Sequence, residues 1–443
     1  MTMKLRSTLG LFLLSYFRFF AKLQLRKNRR AITIGITGSY GKTSARLALY
    51  TILSSRARVK HSRHANSETG LPLNILGLQA HTYSSLDWLR LALFAPLKLL
   101  TNWEKYDYYI AEMGVDSPLP PKNMQYLLTI LRPEVGIILN AAPVHTQAFD
   151  SLVLDREPAR KLAKLTSAIA REKFKLALSV DSKGLVVAPI GQKEFAEYFA
   201  KVQARLLTFG KSSSATLRII SSHLSVKGYL TKFSYQGNIY SLALKDIAPP
   251  GFSDTLLACV LTAAGLGVPV SHSLNALSDY RPPKGRMRLF SGKNDSHIID
   301  SSYNANPATM LEALKVLHQL AGRKRKIAVL GDMQELGTLS KSSHKALASQ
   351  IVKYADQAIL YGEETTKHTF PLLEKMNFPV RHFTDFPSLA KELSLLSKPG
   401  SWFLVKGSQN KIYLERAVEV LLKDKKDIAN LCRRGKYWDR RRK

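Results

Sequence analysis

The sequence has little cysteine. Its 443 residues include only Cys259 and Cys432, which excludes a disulfide framework and a zinc site built on paired cysteines. This usage is typical of a reducing compartment, and we expect a cytoplasmic protein.

Acidic residues are also scarce. The chain has 33 Asp and Glu against 66 Lys and Arg, a formal net charge of +33. Such a charge favours anionic partners, such as nucleotides, carboxylated substrates or a membrane face, but charge runs are as often simply solvated. The chain has no RNA-binding pattern of interleaved aromatic and basic residues, so we expect no nucleic-acid partner.

No hydrophobic run reaches the roughly 20 residues that a membrane-spanning helix needs. The strongest candidate is the uncharged stretch Ser7–Phe17, which lies in a hydrophobic, basic segment at residues 1–30. We predict a short hydrophobic helix here, and two interpretations stay open. Residues 5–30 could make peripheral contact with the inner face of a membrane, or the helix could pack on the protein's own body.

What the sequence does contain is the alternation of an α/β protein. Buried-strand patterns occur at 32–37, 108–112, 135–140, 176–180, 297–300, 326–330, 357–361 and 402–405, with helix-like stretches between them. Residues 217–244 alternate as a β-hairpin does. The segment Asp279–Gly285 holds two prolines and a glycine and predicts a hinge between two α/β regions.

The stretch Thr37–Ser44, TGSYGKTS, lies directly between a predicted strand and a helix. Its glycines let backbone N–H groups close around phosphate oxygens, while Lys42 offers a charge to the β- and γ-phosphates and Thr43 can ligate Mg²⁺. The following helix N-terminus favours the same anion. Ile36 stands where the standard phosphate-loop pattern has its first glycine. This stretch predicts ATP and Mg²⁺ as cofactors.

The form TGxxGKT[ST] resembles the phosphate loop of the Mur ligase family. Other stretches resemble family segments in the family's order: HANSETGLP (64–72), AEMG (111–114), the segment 139–145, KGR (284–286), DSSYNANP (300–307), LGDMQELG (330–337) and VKGS (405–408). SYNANP and LGDMQELG are most similar to the members that add D-alanyl-D-alanine to a UDP-muramoyl tripeptide.

This resemblance implies an α/β fold in which a P-loop central domain with a parallel sheet is followed by a C-terminal Rossmann-like domain. With the hydrophobic start and the basic end, it divides the chain into an N-terminal helix (1–30), a central ATP-binding domain (31–283), a C-terminal domain (284–425) and a basic tail (426–443).

The resemblance also implies an ATP-dependent amide ligase that forms an acyl-phosphate intermediate in peptidoglycan biosynthesis, and hence acts in cell wall biogenesis and cell shape. Its substrates would be a carboxylate-bearing cell-wall precursor and an amine such as a D-amino-acid dipeptide. Two alternatives remain: a Mur-like ligase for another acceptor, of polyglutamyl or pseudomurein type, and a non-catalytic ATP-binding scaffold at the membrane.

Family likeness assigns roles to individual residues. The catalytic candidates are Lys42, His145, Arg286 and Lys161. The ATP-binding candidates are Thr37, Gly38, Ser39, Gly41, Lys42, Thr43, Ser44, Asn140, Asp300, Tyr303, Asn304 and Asn306. The metal candidates are Thr43, Glu112 and His145, and the substrate candidates are Asn66, Glu68, Lys406 and Ser408.

The chain departs from the family pattern at several places. Ser301 replaces the second aspartate of DDSYNANP, and Gln409 replaces the arginine of KGSR. The adenine segment at 251–257 lacks both family asparagines. The family's carbamylated lysine, in a pattern like AxxK or AREK, has two candidates, Lys161 and Lys164. Most members carry a UDP-binding domain where this chain has residues 1–30, so we expect the acyl substrate to be held by another surface.

Overall fold

The computed structural model describes residues 8–63, 65–155, 157–249, 251–409 and 411–442. The helices are α1 (Thr8–Arg26), α2 (Lys42–Ser54), α3 (Gly70–Leu76), α4 (Ser85–Thr101), α5 (Met124–Ile130), α6 (Thr146–Phe149), α7 (Pro158–Leu178), α8 (Ala196–Phe199), α9 (Phe252–Gly265), α10 (Val270–Leu277), α11 (Pro307–Ala321), α12 (Ser340–Tyr354), α13 (Phe370–Lys375), α14 (Phe386–Leu396), α15 (Glu415–Leu421) and α16 (Lys436–Arg441). The strands are β1 (Ile32–Thr37), β2 (Val59–His61), β3 (Tyr108–Glu112), β4 (Val135–Ile138), β5 (Leu185–Pro189), β6 (Arg205–Gly210), β7 (Leu217–Ser225), β8 (Gly228–Tyr235), β9 (Asn238–Leu244), β10 (Arg288–Ser291), β11 (His297–Asp300), β12 (Lys326–Gly331), β13 (Gln357–Tyr361), β14 (Val380–Phe383) and β15 (Trp402–Lys406).

The first sheet has nine strands in the order β2-β3-β1-β4-β5-β6-β7-β8-β9. The first six strands in this order, from β2 through β1 to β6, are parallel to one another. Strands β7, β8 and β9 form an antiparallel meander. Because β1 lies between β3 and β4, the loop that follows β1 leaves the sheet beside the carboxyl ends of both neighbours. Ligands of parallel α/β sheets bind at such an edge.

The second sheet has six strands in the order β10-β11-β15-β12-β13-β14. Only β10 runs antiparallel to its neighbour. Strand β15 lies between β11 and β12, so the loops after these three strands emerge side by side. The predicted α/β fold with two successive sheets is thereby confirmed, and the predicted hinge Asp279–Gly285 lies between α10 and β10.

One predicted strand is wrong. Residues 176–180 end helix α7 and the turn after it, and the next strand, β5, begins at Leu185. A five-residue apolar run is too short to show a period, so its sequence does not separate a strand from the end of a buried helix. The predicted hairpin at 217–244 contains a third strand, β9.

Helix α1 packs on the body of the protein. Leu14, Phe17 and Ala21 are buried, and the rings of Phe17 and Trp88 in α4 have centroids 6.0 Å apart. Among the described residues, no helix is both long and apolar enough to cross a membrane. Packing therefore accounts for one face of α1. Residues 1–7, which belong to the predicted N-terminal segment, lie outside the described part of the chain.

Candidate active site

The loop after β1 ends at Gly41, where the backbone conformation requires a glycine. Gly41 has a φ of +85°, and a Cβ there would lie 2.7 Å from Oγ1 of Thr255, so a side chain would be both strained and obstructed. At the start of the loop, Thr37 Oγ1 donates to the Met113 carbonyl at 2.9 Å. The predicted loop residues thus form a turn whose two ends are fixed.

Asn140, after β4, holds this loop from the side. Its Oδ1 accepts the backbone N–H groups of Ser39 and Tyr40 at 3.0 and 3.1 Å, and its Nδ2 donates to the Tyr40 carbonyl at 3.2 Å. Ser39 Oγ also donates to the Ala142 carbonyl at 2.9 Å. Asn140, predicted as an ATP contact, therefore orders the loop backbone that would meet the phosphates.

Lys42 is the cation of the loop. Its Nζ donates to the Gly38 carbonyl at 2.6 Å, so its partner within the loop is a neutral group. Burial lowers the pKa of Lys42, while Glu112 and Asp116 oppose that effect. A phosphate in the loop would supply the negative charge that this ammonium group lacks at close range.

Glu112 ends β3 directly beside the loop. Its Oε2 accepts from Thr43 Oγ1 at 3.1 Å, and its Oε1 forms a buried ion pair with Arg46 Nε at 2.6 Å. Arg46, one turn into α2, was not among the predicted site residues, because its partner is distant in sequence. Two adjacent oxygen donors suit Mg²⁺, which typically takes one or two protein oxygens and completes its shell with phosphate and water. The described residues hold no cluster of three or more His, Cys, Asp or Glu that would demand another metal.

His145 connects the two halves of the molecule. Its Nδ1 lies 2.6 Å from Oε2 of Glu335, which follows β12, and its Nε2 lies 3.7 Å from Oδ1 of Asp116. The hydrogen bond from His145 lowers the pKa of Glu335. His145 is therefore held between carboxylates of the two α/β regions, and its role at a metal stays a prediction.

Lys173, in α7, is a buried lysine that the sequence analysis did not select. Burial lowers its pKa to about 7, reinforced by the positive charge of Lys42, while Asp116 and Glu172 oppose the shift. The signal was present, because residues 170–173 read AREK, the pattern expected for the family's carbamylated lysine. Lys173 completes that pattern, whereas the position of its alanine is occupied by Pro158 before Lys161 and by Lys161 before Lys164.

The two predicted lysines lie elsewhere. Lys161 Nζ is 3.4 Å from Oδ1 of Asp150, which also accepts from the N–H and hydroxyl groups of Thr338. Lys164 pairs with Asp155 at 2.8 Å and is largely exposed. Asp150 thus connects Lys161 of α7 with Thr338 of the second α/β region, and the catalytic assignment of Lys161 stays a prediction.

The second region presents the loop 300–306 to the cleft. Asp300 is fully buried; its Oδ1 accepts from the N–H and hydroxyl groups of Ser302 at 3.0 and 2.6 Å, and its Oδ2 has no hydrogen-bond partner among the described residues. Burial raises the pKa of Asp300. Asn306 caps α11, with its Oδ1 accepting from Thr309 N at 3.0 Å. These side chains shape the loop, while its residues 304–306 line the cleft.

Lys406 and Ser408 lie beneath that loop. Lys406 Nζ donates to the Asn304 carbonyl at 2.8 Å and to Ser301 Oγ at 3.2 Å, and burial lowers its pKa to about 7. Ser408 Oγ accepts from Gln334 N at 2.8 Å and donates to the Ala305 carbonyl at 3.3 Å. Both residues hold neighbouring loops together, and their contact with an amine substrate stays a prediction.

Tyr303 lies between two arginines. The guanidinium carbon of Arg286 lies 4.5 Å from its ring centroid and that of Arg433 lies 5.6 Å away. Arg433 donates to the carbonyls of Ser302 and Tyr303 at 2.7 and 2.8 Å and forms a buried ion pair with Glu415 at 2.6 Å. Arg433, a residue of the predicted basic tail, therefore holds the backbone of the loop 300–306.

The substrate candidates of the first region lie beside β3. The Asn66 carbonyl accepts from Gly114 N at 2.8 Å. Glu68 is buried, and burial raises the pKa of its carboxyl group, with Lys122 and Asp116 among the charges that act on it. His64, which begins the corresponding family-like segment, lies outside the described residues.

One cleft among the described residues brings four of the predicted residues together: Ser39, His145, Asn304 and Asn306. It is lined from the first region by Ser39 and His145, and from the second by Asn304, Asn306, Glu335 and Gln409. Ser44 does not face it, because Ser44 is buried in α2 and its carbonyl accepts from the Tyr280 hydroxyl at 3.1 Å. The arrangement can hold a nucleotide phosphate between two α/β regions.

Comparison with known proteins agrees with this geometry. Residues 36–248 match the Mur ligase middle domain, and residues 285–409 match the Mur ligase, glutamate ligase domain. A UDP-N-acetylmuramoyl-tripeptide–D-alanyl-D-alanine ligase of Buchnera aphidicola is 24% identical over 413 residues, which cover 90% of this chain and 74% of that protein. The enzyme of the same name from Borreliella burgdorferi is 27% identical over 390 residues, covering 85% of this chain and 72% of that protein.

The crystal structure of MurF ligase from Thermotoga maritima in complex with ADP superimposes with a TM-score of 0.73 at 20% identity, covering 92% of this chain and 83% of that one. The likeness in fold therefore extends over both sheets. Since two family models match in succession, one on each side of the cleft, this chain belongs to the Mur ligase family.

Proposed function

We propose that the chain is an ATP-dependent ligase that adds D-alanyl-D-alanine, or a similar amine, to a carboxylate of a peptidoglycan precursor. The observation that carries this proposal is the cleft that Ser39 of the loop 37–44 and residues 304–306 of the second region line together. The relatives compared above are both ligases for D-alanyl-D-alanine, which supports the choice of amine.

The proposed reaction has two steps. A carboxylate oxygen of the acyl substrate attacks the γ-phosphorus of ATP, the bond to the ADP oxygen breaks, and an acyl-phosphate forms. The amine then attacks the acyl carbon, phosphate leaves, and the amine loses a proton to solvent. Charge develops on phosphoryl oxygens, so the backbone N–H groups of the loop and the ammonium group of Lys42 would stabilise it.

Mg²⁺ held by Thr43 and Glu112 would neutralise part of the phosphate charge. Arg46 would keep Glu112 aimed at the loop, because the two side chains form a buried pair. We further assign the family's carbamylated lysine to Lys173. Its neutral amine would attack CO₂, forming a C–N bond and losing one proton to solvent, which converts a neutral group near Lys42 into an anionic carbamate.

We place this activity in the cytoplasm, where ATP and nucleotide-linked precursors occur. Nucleic acid is not a partner in this proposal. A contact with the inner face of the membrane would require a surface other than the cleft, because the cleft lies between the two α/β regions and the proposed reaction takes place there.

Phosphate release tests the proposal. The chain is mixed with ATP, Mg²⁺, D-alanyl-D-alanine and a UDP-muramoyl tripeptide, and the products are separated by mass; Lys42→Ala is the matched control. We expect ADP, phosphate and amide in equal amounts. If an amide forms only when glutamate or another acceptor is supplied, the proposed substrates are wrong and the chain is a ligase of the polyglutamyl or pseudomurein type. ATP binding without turnover on any acceptor would identify a scaffold and contradict the proposal.

A further inference from the structure

Helix α4 exposes a stripe of leucines. Leu86, Leu89, Leu93, Leu97 and Leu100 are all exposed, and they recur at the three- and four-residue spacing that places side chains on one face of a helix. The opposite face is buried through Trp88, Leu91 and Ala95. A helix that only covers a core would turn a polar face outward, so the outer face of α4 requires its own explanation.

Helix α1 extends this apolar surface. The Tyr16 hydroxyl donates to the Ala92 carbonyl of α4 at 2.9 Å, so the two helices touch. Leu11, Phe12 and Phe19 of α1 are exposed, as is Trp103 just after α4. We call this surface, formed by the exposed apolar residues of 11–19 and 86–103, the α1–α4 face. Contiguous apolar surface on this scale marks a site of interaction.

The charge around the α1–α4 face is predominantly basic. Residues 8–30 contain six basic side chains and no acidic one: Arg18, Lys22, Arg26, Lys27, Arg29 and Arg30. Lys22, Arg26, Arg29 and Arg30 are exposed, while Lys27 Nζ lies 4.1 Å from the centroid of the Trp103 ring. Residues 86–103 contain one acidic side chain, Asp87, which is buried and paired with Arg90. Glu104, the next residue, is paired with Lys60. An anionic partner is therefore favoured over a neutral one.

We propose that the α1–α4 face binds the surface of an anionic lipid bilayer. Its leucines and phenylalanines enter the boundary between headgroups and acyl chains, while the basic residues at the end of α1 contact phosphate-bearing headgroups. Tryptophan is enriched at that same boundary, in agreement with the position of Trp103. With 17 residues, α4 is about 25 Å long and lies in the plane of the interface, not across it.

A second copy of the chain fits this surface less well. Self-association through the α1–α4 face would bring the basic residues of 8–30 from both copies together without any acidic residue of that segment to pair with them. Like charges in such an arrangement repel. A bilayer supplies both apolar contact and negative charge, and the contact does not depend on the proposed ligase chemistry.

Vesicle co-sedimentation of the full chain tests the proposal. The probes are vesicles of phosphatidylglycerol with phosphatidylcholine and vesicles of phosphatidylcholine alone. The test variant is Leu93→Gln with Leu100→Gln, whose side chains are 66% and 71% exposed; the matched control is Ile239→Gln with Leu395→Gln, at 70% and 65% exposed, outside the α1–α4 face. We expect the native chain to bind the anionic vesicles and the test variant to bind them at least about 100-fold more weakly, since each leucine contributes about tenfold or more. The control pair should bind like the native chain.

Three results would overturn the proposal: no binding of the native chain to anionic vesicles, equal loss in the test and control pairs, or unchanged binding of the test pair. Sedimentation velocity in buffer addresses the rival occupant. A native dimer that the test pair dissociates, without vesicle binding, assigns the α1–α4 face to a second copy. Ligase activity is measured separately in solution and should be the same in the native chain and the test pair, so a failure of the ligase assignment leaves the vesicle result intact.

Discussion

Lys42 donates its hydrogen bond to a neutral carbonyl, and its charge is left to meet a phosphate. Replacing it by alanine should remove about 3–4 kcal/mol of transition-state stabilisation, as losing one positioned donor does. We therefore expect Lys42→Ala to lower turnover by a factor of roughly 100 or more, measured as phosphate release at saturating ATP. Near-normal ligation by this variant would contradict the role of the loop.

Lys173 and Lys161 differ in their surroundings, and this difference predicts different responses. Lys173 is buried with a pKa near 7, so its amine is neutral in part at physiological pH and can react with CO₂. After incubation with ¹³C-bicarbonate, a carbamate signal should appear in the native chain and in Lys161→Met, but not in Lys173→Met. Turnover should fall strongly in Lys173→Met alone. A carbamate that persists in Lys173→Met would return the assignment to Lys161 or Lys164.

Residues of the site could be predicted from sequence where short contiguous segments carry them. The loop 37–44, Glu112 and the loop 300–306 are of this kind, since glycines, a strand end and a helix cap place them locally. Arg46, Glu335 and Arg433 were not among the predicted site residues, because each contributes through a contact with a residue distant in the chain. Lys173 was missed although its local pattern was complete, because Lys161 and Lys164 lie nearer to His145 in the sequence.

At the scale of secondary-structure elements, α1 is fixed by its buried face. Phe17 is 1% exposed, whereas Phe12 on the same helix is 65% exposed. Phe17→Ala should cost about 3 kcal/mol or more of unfolding free energy through the cavity it leaves, and Phe12→Ala less than about 0.5 kcal/mol. Urea unfolding of the two variants measures this difference. Equal effects would mean that α1 is not docked on α3 and α4.

The residues that follow α15 also stabilise the fold, as the buried face of α1 does. Arg433→Met would remove the close charge partner of the buried Glu415, whose other arginine, Arg442, lies 4.0 Å away, and would release two carbonyls of the loop 300–306. Losing one partner of a buried pair typically costs about 3–5 kcal/mol. We expect a lower melting temperature and a higher KM for ATP. Arg434→Met, which removes a partly exposed pair with Glu419, is the control and should change neither strongly. An unchanged KM in Arg433→Met would show that this segment does not support the nucleotide loop.

The sequence predicted the elements better than their contacts. Strand patterns with β-branched residues placed β1, β3, β11 and β13 closely, because central parallel strands are buried on both faces and read as apolar runs. The same reasoning misplaced a strand at the end of α7, where an apolar run was helical. The packing of α1 and of the residues after α15 depends on surfaces that no local pattern shows.

For the molecule as a whole, buried lysines predict how stability depends on pH. The pKa of Lys173 is lowered to about 7 by burial and by Lys42, whereas in the unfolded chain it lies near 10.5. Between these values the unfolded state binds the extra proton, so the free energy of unfolding should rise with pH, by at most about 1.4 kcal/mol per unit for this group. Lys406 should add a similar contribution.

Urea unfolding at pH 6, 7.5 and 9, in buffer freed of bicarbonate, checks this sign. The rise should be smaller in Lys173→Met than in the native chain, and unchanged in Lys164→Met, whose side chain is largely exposed. A rise of the same size in Lys173→Met would assign the effect to the general reduction of net charge and not to this buried amine.

The position of Arg433 has a consequence for the order in which the chain becomes functional during translation. The loop 300–306 leaves the ribosome long before the arginine that holds its carbonyls. Both sheets can form while synthesis continues. The hydrogen bonds from Arg433 to the loop 300–306, however, can form only after residue 433 has emerged. A nascent chain that lacks this segment would therefore carry a folded body with an unfinished cleft, and competence to use ATP would be among the last properties that it acquires.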